Sequence, residues 1–200
     1  MISELIAVAE RDDNFIEDAA IENEVLECAD LSCFKFTSVT FSKCRIISCD
    51  MKSVRFYNTS FINCDISNCS FTSSYWKNVS IKESKAIGSN FAESLFKDVK
   101  MEDSTFAYAN FFKVIMDSAA AERCAFTESV FSEAEFKKSI FSESDLSRAD
   151  FFKAKLRGMD FSTCNIDGIT LSDTYSELRG LTVSALQAVE LAKMLGLKIA

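Results

Sequence analysis

The 200-residue chain has no proline, no histidine and only five glycines. Without histidine there is no Ser-His or Cys-His catalytic pair and no usual zinc site. So few glycines leave no Gly-rich phosphate loop. A chain free of proline suits strands that are hydrogen-bonded on both sides, because proline cannot donate to a ladder. No apolar run approaches the ~20 residues that span a bilayer. Met1 to Ala9 also lacks the basic start and long apolar core of a signal peptide. These two absences predict a cytoplasmic chain with no membrane partner.

What the sequence does have is a period. From Phe126 it reads FTESV FSEAE FKKSI FSESD LSRAD FFKAK LRGMD F, each five opening on a large apolar residue. The register runs without a slip from Leu26 to Leu171, and only Ala86 and Ala121 break the sequence of Leu, Ile, Met, Phe or Trp at its anchors. The residue two before each anchor is small or modest, mostly Ala, Ser or Cys. A period of five fits neither the 3.6 of a helix nor the 2.0 of a strand. Fixed internal periods mark solenoids.

The stretches CDISNCSFTSS and LSRADFFKAKLRGMDF resemble the pentapeptide-repeat family, whose motif is A(D/N)LXX with a central Leu or Phe. The resemblance implies an all-β solenoid: a right-handed quadrilateral parallel β-helix in which each pentapeptide makes one wall and four make a coil. Anchor and small residue then both point inward, and residues twenty apart stack at ~4.8 Å. About eight coils give a rod roughly 38 Å long. One expected core ladder runs Phe71, Phe91, Phe111, Phe131, Phe151, and another Phe56, Trp76, Phe96, Phe136. An insertion would shift the phase, so no loop is expected to project from the coils.

Three segments follow. Residues 1–25 read as an acidic cap, with a short helix over ISELIAVAE and with Ile16 and Ile21 in repeat-like positions. Residues 26–175 are the β-helix. Residues 176–200 hold a helix capped by Thr182 or Ser184, ended by Gly196, with LKIA as a terminal strand. Its apolar residues Leu186, Val189, Leu191, Met194 and Leu195 are read as a dimer interface. The ending Gln-x-x-x-Leu-x-x-x-Leu-Gly-Leu is similar to the carboxyl cap of the fluoroquinolone-resistance branch, which implies a homodimer through this helix.

Cys44, Cys49, Cys64, Cys69, Cys124 and Cys164 occupy the small inward position, so these are read as buried free thiols rather than disulfides or metal ligands. Only Cys28 and Cys33 fall on an outward phase. The expectation is a non-enzymatic protein with no cofactor and no metal site. Formal charge is −8, spread as −7 over residues 1–25, +3 over 26–82, −5 over 83–175 and +1 beyond. Net acidity disfavours direct nucleic-acid binding. The resemblance implies instead a DNA mimic that binds DNA gyrase or topoisomerase IV and affects quinolone susceptibility. The +3 segment departs from that pattern. The alternative is a rigid scaffold for protein–protein interaction with no topoisomerase role.

Overall fold

The computed structural model describes residues 2–11 and 13–199. Helix α1 (Ile2–Ala9) leads into a parallel β-solenoid with four walls. The paired strands join residues twenty apart, as in Phe36↔Phe56, Phe56↔Trp76 and Trp76↔Phe96, while the last bridge, Asp160↔Thr182, lies outside that spacing. Four inward ladders result, and each wall is named here for one member. The Trp76 wall holds Ile16, Phe36, Phe56, Trp76, Phe96, Met116, Phe136 and Leu156. The Phe111 wall holds Leu31 through Phe151, the Phe41 wall Ile21 through Phe161, and the Phe126 wall Ile46 through Ile166. All of these anchors are buried.

The coil count comes out slightly below the eight expected. Along the Trp76 wall, paired strands run Phe15–Glu17, Lys35–Thr37, Arg55–Tyr57, Tyr75–Lys82, Leu95–Glu102, Ile115–Asp117 and Glu135–Lys137, climbing about six turns. Beyond Phe141 the rungs persist only as isolated bridges such as Asp145↔Asn165 and Asp150↔Thr170. At the other end pairing begins at Phe15, inside the segment read as the acidic cap.

Aromatic burial dominates the interior. Phe71, Phe91, Phe111, Phe131 and Phe151 stack nearly parallel, with successive centroids at 5.0, 4.9, 4.8 and 5.2 Å. Phe56, Trp76 and Phe96 follow one another on the next wall at 4.5 and 5.3 Å, with their planes tilted by 43° and 36°. Such pairs add ~0.5–1.5 kcal/mol each to the burial of the ring area.

Two features of the repeat have reasons beyond size. The second residue after each anchor turns the corner in the left-handed region, with φ between 48° and 62° at non-glycine corners from Asp18 to Lys153. That conformation costs ~1–2 kcal/mol per ordinary residue. It is offset because the corner N–H then meets a carbonyl of the next coil, as from Lys43 to Ile62 and from Asn63 to Lys82, both at 2.9 Å. At Gly88 a side chain would also meet Asn68 Oδ1 at 2.8 Å, so this corner has two reasons to be glycine. The small inward residue is the second feature. Its hydroxyl or thiol accepts from the backbone N–H one rung below: Cys64 N–H to Ser84 Oγ at 3.0 Å, Ser84 N–H to Ser104 Oγ at 3.0 Å, Cys49 N–H to Cys69 Sγ at 3.4 Å. Ser and Cys therefore fill a hydrogen-bonding position as well as a small one.

The carboxyl end is closed by a buried carboxylate and a helix. Glu177 accepts from the Lys153 N–H at 2.6 Å and from the Ser172 N–H and hydroxyl at 3.2 and 2.9 Å. Helix α2 (Ala185–Met194) is capped by Ser184, whose hydroxyl accepts from the Gln187 N–H while the Gln187 side chain accepts from the Ser184 N–H. The expected terminal strand does not form. The Leu197 N–H bonds back to the Ala192 carbonyl at 3.1 Å, which closes the helix and leaves 197–199 without a ladder partner; Ala200 lies outside the described residues. Among the described residues no helix is long and apolar enough to cross a membrane.

Candidate interaction surface

Because anchor and small residue both point inward, the other three of every five residues make the outer surface. The walls follow one another with no long excursion, so outward side chains form straight columns with one member per rung. Six cysteines, Cys44, Cys49, Cys64, Cys69, Cys124 and Cys164, are buried, and Cys28 and Cys33 are exposed; all eight are free. Burial pushes the Cys64 and Cys124 thiols up to about 11. The Cys69 thiol is likewise raised, first by the hydrogen bond it shares with Cys49 and then by burial. Among the described residues no three Cys, Asp or Glu side chains converge as a metal site.

Charge is sorted by wall rather than by segment. Lys35, Arg55, Lys77, Lys97, Lys137, Lys138, Lys155 and Arg157 stand outward on the Trp76 wall, against Glu17, Asp18, Asp98, Asp117 and Glu135. On each of the other three walls acids outnumber bases. The +3 and −5 segments of the sequence are cuts across these columns.

On the acid-rich walls four bases, Arg45, Lys113, Arg123 and Arg148, are answered by a carboxylate one rung away. Arg123 spans Asp103 with contacts of 2.7 and 3.1 Å and also pairs with Glu122. The Asp103 carboxyl is held below its ordinary range mainly by that guanidinium. Arg148 meets Glu128 at 2.9 Å and Lys113 meets Glu133 at 3.6 Å. On the Trp76 wall, among the described residues, only the upper part is so arranged, where Glu135 takes both Lys155 and Lys137.

The five residues read as a dimer face do not share one surface. Gln187 donates its side-chain N–H to the Phe161 and Cys164 carbonyls at 2.9 and 2.6 Å, which turns its side of α2 against the last coil. Leu191, one turn on, is therefore only 9 % exposed and packs on the protein's own core. Val189 is half-buried. Leu186 at 82 %, Met194 and Leu195 face outward, together with Leu197 and Ile199. The helix period identified an apolar helix, but the side that docks was set by Gln187. The residues of the two core ladders are all buried in the interior.

A model described as "Pentapeptide repeat region" matches residues 34–111, and one described as "Pentapeptide repeats (8 copies)" matches residues 129–168. No curated protein sequence matches the chain. Among solved structures, a trypsin-treated form of QnrB1, a plasmid-mediated fluoroquinolone resistance protein, aligns with TM-score 0.55 and 22% identity over 93% of this chain and 98% of that one. Full-length QnrB1 aligns with TM-score 0.35 and 18% identity over 92% and 100%. HetL, a pentapeptide repeat protein involved in heterocyst differentiation regulation in the cyanobacterium Nostoc sp. strain PCC 7120, aligns with TM-score 0.36 and 11% identity over 90% and 96%. With inward ladders twenty residues apart and family models matching on both halves, the chain belongs to the pentapeptide-repeat family.

Proposed function

We propose that the protein is a non-enzymatic binding rod that takes the place of DNA on a DNA-binding protein, with DNA gyrase or topoisomerase IV as the partner and altered quinolone susceptibility as the outcome. The observation that carries this reading is the sorting of charge: on three of the four walls outward acids outnumber outward bases. Parallel stacking sets successive rungs ~4.8 Å apart along the rod, and carboxylates occupy neighbouring rungs at Asp30 and Asp50, at Glu83 and Asp103 and at Glu102 and Glu122. The fold shared with QnrB1, a fluoroquinolone resistance protein, supports it. In the same reading the exposed Leu186, Met194 and Leu195 join two copies through α2, next to the acid-rich carboxyl half.

The basic Trp76 wall favours a second reading, a scaffold that holds protein partners and has no topoisomerase role, since a DNA substitute has no use for eight outward bases on one wall. Purified gyrase decides between them. Under the first reading, micromolar protein changes the rate of DNA supercoiling or shifts the quinolone concentration that inhibits it. Unchanged supercoiling, with and without quinolone, leaves the scaffold reading.

A further inference from the structure

On the lower and middle rungs of the Trp76 wall, bases face bases. Lys35 and Arg55 are directly paired positions on neighbouring strands, and so are Lys77 and Lys97. Like charges placed directly opposite one another destabilise a sheet. Among the described residues no carboxylate forms an ion pair with any of the four, in contrast to the Asp103–Arg123 and Glu128–Arg148 pairs, although Lys35 lies over the Phe15 and Tyr57 rings at 4.6 and 5.5 Å. Asp117, one rung beyond Lys97, accepts instead from the Ser118 hydroxyl at 3.2 Å. Beside these bases lie the half-buried Tyr75, Leu95 and Ile115, stacked on successive rungs. An apolar middle bordered by charge on a flat sheet is the layout of a protein interface.

From this we infer that the Trp76 wall docks an acidic protein partner, whose carboxylates insert between the paired bases while apolar side chains cover Tyr75, Leu95 and Ile115. Opposite charges supplied by the partner relieve a repulsion that the free chain carries, so the wall is complementary to an acidic surface before binding. A nucleic acid fits less well. Its phosphates have no use for the apolar column, and a polyanion with one charge per ~1.7 Å of duplex meets stronger repulsion from the acid-rich walls. This wall is not the surface that the topoisomerase reading uses, so the two can fail separately.

The test measures binding of the full chain to fluorescent poly(Glu,Tyr) copolymer, to poly-L-glutamate and to a 20-nucleotide oligothymidylate. The copolymer is expected to bind most tightly and to weaken as salt rises. The double variant Arg55→Glu, Lys77→Glu should bind it about tenfold more weakly, since two exposed charge contacts are lost and reversed. Its melting temperature should hold or rise, because each change turns a like-charge rung into an opposite-charge one. Reversing Lys43 and Lys82 on the Phe41 wall should leave binding unchanged. Copolymer binding that survives the Arg55/Lys77 reversal, equal loss from the Lys43/Lys82 reversal, or oligothymidylate binding as tight as the copolymer would each overturn the inference.

Discussion

Replacing Phe111 by Ala tests the stacked core at its centre. The ring is 0 % exposed. It lies between Phe91 and Phe131 at 4.9 and 4.8 Å, with Phe96 and Phe126 edge-on at 6.2 and 6.0 Å. Truncating a buried Phe costs ~3–5 kcal/mol, depending on how far the site collapses. Collapse is resisted here, because Phe91 and Phe131 belong to rungs fixed by ladder bonds such as Phe91 N–H to Asn110 and Phe131 N–H to Asp150. Two parallel stacks, each worth ~0.5–1.5 kcal/mol, are lost as well. The expected loss is therefore toward the upper end, about 4–5 kcal/mol. Lys113, two residues on, is exposed and holds only Glu133 at 3.6 Å and the face of Phe112. Its change to Ala should stay within about 0.5 kcal/mol. Guanidinium titration of both variants gives the comparison, and at ~2–4 °C per kcal/mol a thermal scan should separate them clearly. Equal losses at the two positions, or a Phe111→Ala loss under about 1 kcal/mol, would refute the stacked-ladder account.

Other outcomes follow from the same structure. Iodoacetamide should modify Cys28 and Cys33 in the native protein and all eight sulfurs only after unfolding. The raised thiols make stability depend on alkaline pH: their contribution is whole below the ordinary value of 9.0 and is lost as pH rises through about 11, so the denaturation midpoint should fall across that window. For Glu177, burial alone would raise the carboxyl, but its hydrogen bonds to Ser172 and the Lys153 backbone outweigh that and hold it below 4.5. Its stabilisation is thus present above pH 4.5 and lost in acid, and Glu177→Gln should cost about 1–3 kcal/mol with loosening confined to the carboxyl end in hydrogen exchange. Leu186→Glu should leave the solenoid folded and, if two copies meet through α2, halve the mass seen in light scattering; a wild-type monomer would end the dimer reading.

The inward columns were legible because size alternates with a fixed phase: a large residue every fifth place, a small one two before it. Phe71 through Phe151 and Phe56 through Phe136 could be assigned to ladders on that basis alone. Ile16 and Ile21 kept the phase too, but the acids around them masked the strands they occupy. What Ser84 or Cys64 does for the backbone N–H below it was not legible, since size and hydrogen bonding ask for the same residues there. The left-handed corner was hidden because it tolerates Asn, Ser, Lys and Glu alike. Charge is not legible from contiguous segments, because Lys77 and Lys97 become neighbours only when the chain is folded in twenties. On α2, the docked side depends on two hydrogen bonds from Gln187, which periodicity does not encode.

A repeat of five inside a coil of twenty gives the rod two different step sizes for change in length. Deleting twenty residues removes one storey and returns every later side chain to the wall it left. Deleting five keeps all ladders facing inward but swings everything downstream by a quarter turn. After such a loss between Lys97 and Lys137, the downstream Lys137 and Arg157 would leave the wall of Arg55 and Lys77 and emerge on the Phe111 wall instead. The core would accept both events almost equally, because any anchor fits any ladder of similar residues. The outer pattern survives only the first. An unbroken phase from Ile16 to Leu171 therefore records more than a well-packed tube: it is the condition under which a column of surface charge can exist at all, and lengthening or shortening by whole storeys is the one change of size that preserves it.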